Sequence, residues 1–202
     1  MSNVKNKPLI IGLTGGIASG KSTATAFLKQ EGFLVFDSDL AVKEIWQHNK
    51  QAIDYVKNKY DIEINTNLGK QQLAKLLFTN PSIQKDINNL IHPIVFEMIE
   101  NWINNNFNHK ILIIDMPLLI ESKYYLKVDQ IILIYCDKDT QIKRLINRNN
   151  LTEEEALKRI NAQLSLEEKK LYANYIINNN KTITYLYDEL KAVMEEIKNE
   201  VK

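Results

Sequence analysis

Between Gly15 and Ser22 the chain reads Gly-Gly-Ile-Ala-Ser-Gly-Lys-Ser, the full spacing G-x-x-x-x-G-K-S. Glycines at such spacing let the backbone wrap until several N–H groups converge on one anion, and a helix starting there adds the positive end of its dipole. Lys21 is placed to reach the β and γ phosphates of ATP, and the Ser22 hydroxyl to hold Mg²⁺. Gly15, Gly16, Ile17, Ala18, Ser19, Gly20, Lys21, Ser22 and Thr23 are the expected nucleotide-binding set.

Three carboxylates and three arginines stand out beside that loop. Asp115 ends an apolar run, where an aspartate near the Mg²⁺ end of a phosphate loop is expected. Asp37 and Asp39 follow a second apolar run, and either is placed to accept the proton of an attacking hydroxyl. The bland alternative for both is capping of the helix that starts near Ser38. Among 26 basic residues only three are arginine, and Arg144, Arg148 and Arg159 fall within sixteen positions of one another. Arg144 and Arg148, four apart, share a helix face. A guanidinium fork grips phosphate in a bidentate manner that lysine does not match. Arginines gathered on a helix pair fit the lid of a small-molecule kinase.

Elements that must position these residues follow from the apolar pattern. Pro8–Thr14, Phe33–Phe36, Lys110–Asp115, Gln130–Cys136 and Tyr175–Ile177 are short apolar runs that read as strands. Helical spacing is expected over 21–31, from Ser38 or Asp39 (as cap) through Trp46, and over 71–78. It is expected again over 81–107 (with Asn80 as cap), 140–148, 152–163 and from about Thr184. Thr152-x-x-Glu155 and Ser165-x-x-Glu168 have the form of capping boxes. Strands alternating with helices predict an α/β fold of the three-layer phosphate-loop type, with a parallel sheet, a helical insertion over about 40–108 and a helical lid over about 138–166. Residues 1–7 are expected to be a tail, and 8–202 a single domain.

Composition narrows the class. Of 202 residues 45% are hydrophobic and 25% charged, with a net charge of +1, as in an ordinary globular protein without a dedicated nucleic-acid face. The single cysteine, Cys136, cannot form an internal disulfide and reads as a buried apolar residue. No signal peptide, membrane span or zinc cluster is expected, which makes cytoplasmic the default location. The Asn runs 104–106 and 178–180 are expected to be solvated loops. Asn58-Lys59-Tyr60-Asp61 matches a guanine-reading string, but it falls at a helix end and no D-x-x-G switch accompanies it. That match is read as coincidence.

Taken together, the strings GLTGGIASGKST (12–23), Asp37-Ser38-Asp39, Ile91-His92-Pro93, DMPLLIE (115–121), QIKRLINRNNLTEEEALKRINAQ (141–163) and ANYIINN (173–179) resemble the dephospho-CoA kinases over nearly the whole chain. The resemblance implies transfer of the ATP γ-phosphate to the 3′-hydroxyl of the dephospho-CoA ribose. It implies small-molecule substrates, and no nucleic acid, membrane or obligate protein partner. It implies Asp39 as general base, Lys21 as a catalytic group and Arg144 or Arg148 at the transition state. It also places Asp37, Asp39, His92, Leu118, Arg159 and Gln163 around the acceptor, and Ser22 and Asp115 at the metal. A nucleoside monophosphate kinase, or an ATPase without a small acceptor, is the alternative. Ala18 stands where the family carries glycine, and its methyl group is expected to fit if its φ is negative. Asn174 and Lys181 replace an expected Asp and Gly.

Overall fold

The computed structural model describes residues 7–201; the signal-peptide reading and most of the expected tail concern Met1–Asn6, outside the described residues. Among the described residues two compact units emerge, one formed by 7–36 with 103–201 and the other by 37–102.

In the first unit, β1 (Leu9–Gly15), β2 (Leu34–Asp37, whose last residue begins the second unit), β3 (Ile111–Asp115), β4 (Gln130–Tyr135) and β5 (Tyr175–Asn178) form one sheet in the order β2-β3-β1-β4-β5. β1 pairs in parallel with β3 and with β4, and β4 in parallel with β5. Parallel strands need both faces covered, which is why their sequences are continuously apolar. Ile11, Leu13, Ile113, Ile132 and Ile134 meet α1 (Lys21–Gln30) and α9 (Ile183–Glu200) through Ala24, Phe27, Leu28, Leu186, Leu190 and Met194. On another side Leu133 and Cys136 pack against Leu166 of α8 (Leu166–Lys170). Gly12 faces Leu119: a Cβ there would come within 2.6 Å of the leucine side chain, so glycine lets the segment after β3 lie directly on β1.

Strands β3 and β4 flank β1 on opposite sides, and the connection leaving β1 runs to β2 at one edge while the one leaving β3 runs to β4 on the other side of β1. A crevice opens at such a reversal, and the glycine loop sits at it.

The second unit is helical: α2 (Ser38–His48), α3 (Lys50–Tyr60), α4 (Asn67–Thr79) and most of α5 (Pro81–Asn105). Asn80 accepts from the N–H groups of Ser82 and Ile83, capping α5 as its position predicts. The guanine-like string closes α3. Lys59 and both Tyr55 and Tyr60 donate to Asp86 of α5 at 2.6–2.9 Å, and Asp61 ends the helix in the left-handed region (φ 55°). The string therefore ties two helices together, in accord with coincidence. With three donors on it, the Asp86 carboxyl is pulled down to about 2, the Lys59 ammonium contributing most.

Both capping boxes are present, at Thr152–Glu155 of α7 (Glu153–Ile160) and Ser165–Glu168 of α8. Before α7 comes α6 (Lys138–Asn149), capped by Asp137. No helix among the described residues is long and apolar enough to cross a membrane.

Candidate active site

The other α-helices of the chain begin under a capping side chain, whereas α1 begins at Gly20 with no side-chain cap and no acidic residue in its first turn. Its leading N–H groups and dipole are left to an outside anion. Gly20 is in the left-handed region (φ 96°), a conformation open to glycine. Ala18 also has positive φ (59°), so the condition of a negative φ is not met. An L-residue there costs about 1–2 kcal/mol relative to the right-handed region. The offset is packing: Ile17 and Ala18 lie against Leu145 of α6 and Ala156 and Ile160 of α7.

At the inner end of the loop the Lys21 ammonium pairs with Asp115 Oδ1, and the Thr25 hydroxyl donates to Asp115 Oδ2. Asp115 is 3% exposed, so its charge is held by partners instead of water. Ser22 is exposed on the first turn of α1. Among the described residues no cluster of His, Cys, Asp or Glu is able to hold a metal alone. The donor set is one hydroxyl and one already engaged carboxylate, which fits Mg²⁺ only as an ion shared with nucleotide oxygens.

On the outer side the loop is gripped through its backbone. Gln141 Nε2 donates to Ile17 O at 2.7 Å, and Ile17 N–H donates to Gln163 Oε1 at 3.1 Å, so one residue is held through the peptides on both sides of it. Asn179 Nδ2 donates to Ser19 O at 2.8 Å, and Arg144 Nη2 donates to Asn179 O at 2.8 Å. Arg144 Nη1 and the Ser19 hydroxyl are buried with no hydrogen-bond partner among the described residues. Buried donors seldom remain unmet, and both belong to groups around Gly20 that can meet an anion. Arg148 is exposed, its Nε donating to Asn149. Arg159 is half-buried on α7, and Leu118 is half-buried in the turn after β3.

In the second unit Asp37 accepts from the N–H groups of Asp39 and Leu40 at 3.0 and 3.1 Å. The cap of α2 is thus Asp37 and not Ser38 or Asp39, because an Ncap residue needs the extended backbone Asp37 has (φ −104°, ψ 108°). Asp39 is exposed on the first helical turn. His92 is half-buried and stacked on Phe96 at 5.8 Å, and burial lowers its pKa.

Three residues with a clear place here had no assigned role in the sequence: Thr25, Gln141 and Asn179. Asn179 contradicts the solvated-loop reading of 178–180, being 7% exposed and bonded to the loop. A signal was available, since the run directly follows a strand at the carboxyl edge of the sheet. The departures at 174 and 181 are accounted for. Asn174 Oδ1 accepts from Ile131 N–H, a task needing only an acceptor, and Lys181 has no positive φ and lies over the Tyr185 ring.

A dephospho-CoA kinase family profile matches residues 9–184. A dephospho-CoA kinase of Oceanobacillus iheyensis is 37% identical over 195 residues, covering 93% of this chain and 97% of its own. Among solved structures a Thermus thermophilus protein superposes with a TM-score of 0.81 at 28% identity, over 95% of this chain and 98% of that one. A dephospho-CoA kinase from Campylobacter jejuni gives 0.70 at 26% identity with the same coverage.

Proposed function

The chain belongs to the dephospho-CoA kinase family, and from that premise we propose how its own residues carry the transfer from ATP to the ribose 3′-hydroxyl. The phosphates lie in the loop 15–23, over the uncapped start of α1. Lys21 moves from Asp115 to the β and γ oxygens, a short exchange of one anionic partner for another. Mg²⁺ neutralises phosphate charge when bound; Ser22 and, after release by Lys21, Asp115 are the residues to hold it. The α6–α7 pair acts as the lid, with Arg144 turning its unmet Nη1 to the nucleotide and Arg148 reaching the transferring phosphoryl group.

On the acceptor side Asp39 takes the proton of the 3′-hydroxyl as its oxygen bonds to the γ phosphorus. The bond from that phosphorus to the β-bridging oxygen breaks, ADP carries the electron pair away, and Asp39 later yields the proton to water. Asp37 is committed to its cap, which favours Asp39 as the base. His92, neutral at pH 7 through its lowered pKa, Leu118 and Arg159 are assigned to acceptor contacts, and the second unit to acceptor binding.

The observation that carries this reading is the pair of buried, unpartnered groups on the loop and its clamp, Ser19 Oγ and Arg144 Nη1, beside a helix start with no cap of its own. The residue roles are tested with Asp39→Asn and Asp37→Asn. Asp39→Asn keeps ATP affinity while turnover falls by on the order of 100-fold or more. Asp37→Asn retains the cap, since Asn caps as well as Asp, and lowers turnover far less. The reverse ranking assigns the base to Asp37.

A further inference from the structure

Lys169 is a fully buried lysine that the transfer chemistry leaves unused. Its ammonium donates to Pro117 O at 2.6 Å and pairs with Glu121 at 2.9 Å. Pro117 O also accepts from the Thr14 hydroxyl, one residue before the loop. The Glu121 oxygen that meets Lys169 accepts in addition from Leu164 N–H at 3.0 Å. The neighbour of Leu164 is Gln163, whose amide oxygen takes the N–H of Ile17. A continuous path of hydrogen bonds therefore runs from a buried ion pair, through one peptide of the α7–α8 connection, to the phosphate loop.

Ion pairs of this kind are weak sources of stability, because the desolvation of both charges cancels most of their attraction. Burial does lower the Lys169 pKa, opposed by Glu121. Their geometry is more informative than their energy. With Leu164 N–H fixed by Glu121, the Gln163 side chain is held where it accepts from Ile17 N–H. The shape of the loop is then set before ATP arrives, and no ordering cost falls on binding.

We propose that Glu121 and Lys169 are positioning residues, a buried latch that registers Gln163 on the Ile17 peptide and so pre-shapes the phosphate loop for ATP. The proposal rests on the loop being the ATP site. Removing Glu121 alone would strand the Lys169 charge in the interior, so the informative variant is E121M/K169M, which removes both charges together. Affinity for a fluorescent ATP analogue is measured without acceptor for wild type, E121M/K169M, Q163M and the triple variant. Melting temperatures are recorded beside it. E121M/K169M and Q163M each weaken binding by on the order of tenfold, and the triple variant binds no more weakly than Q163M, because the latch acts through Gln163. In turnover assays the KM for ATP rises more than kcat falls.

Wild-type ATP affinity in E121M/K169M overturns the proposal, as does a triple variant whose loss is the product of the two. Melting temperatures that fall while affinities hold reduce the latch to a structural pair. Should wild type itself fail to bind the analogue, the failure lies with the loop assignment instead.

Discussion

Gly20 and Asn179 offer a sharp test of how the loop is built. A Cβ on Gly20 would lie 1.9 Å from Asn179 Nδ2, so Gly20→Ala drives the asparagine off Ser19 O. Two costs follow: the φ of 96° costs an L-residue about 1–2 kcal/mol. The buried Ser19 carbonyl, left without its donor, costs about 1–3 kcal/mol. Gly20→Ala therefore destabilises by about 2–5 kcal/mol, and Asn179→Ala, which strands the same carbonyl, by about 1–3 kcal/mol. In the double variant the carbonyl is stranded only once and the new methyl group meets no amide. Its loss should match that of Gly20→Ala alone, a coupling of about 1–3 kcal/mol. Urea unfolding followed by circular dichroism measures this. Tryptophan fluorescence does not, since Trp46 and Trp102 both belong to the other unit. Additive losses would refute the shared-carbonyl account, and a Gly20→Ala loss below about 1 kcal/mol would refute the clash as well as the φ cost.

Three further outcomes are expected. Arg144→Lys, which loses the donation to Asn179 O and the unmet Nη1, weakens ATP binding by on the order of tenfold or more, read by analogue titration. Arg148→Lys lowers turnover while leaving the melting temperature unchanged, because the side chain is exposed; unchanged kinetics return it to a solvated helix face. Cys136 is buried and its thiol is pushed up to about 11 by desolvation, against the pull of Arg144. It therefore resists thiol reagents at pH 8 until the chain unfolds. Because the folded thiol keeps its proton longer than the unfolded one, stability falls as pH rises from about 8.5 toward 11.

Much of the frame was legible because it is written locally. Each strand shows as a continuous apolar run, and β4 and β5 end within a residue of their expected limits. Glycine spacing marked the loop, and Ser/Thr-x-x-Glu marked two helix starts that the capping boxes confirm. What escaped lacks a local signature. Helix α3 follows α2 with only Asn49 between them and no glycine or proline at the break, so its start does not stand out. The sign of the Ala18 φ is set by packing against α6 and α7, which no neighbouring residue reveals. Gln163 reaches Ile17 across 146 positions, and Asn179 reaches Ser19 across 160. A polar side chain that bonds a distant backbone reads in sequence like one that bonds water.

Turnover with the acceptor present tests the central claim most directly. Purified chain with ATP and Mg²⁺ is followed for ADP release, and the product identified by mass spectrometry, with and without dephospho-CoA. The account predicts ADP release that depends on dephospho-CoA and matches the appearance of coenzyme A bearing phosphate on the 3′-oxygen. ADP release that proceeds equally without the acceptor, or that responds to AMP, CMP, UMP or dTMP in its place, contradicts it.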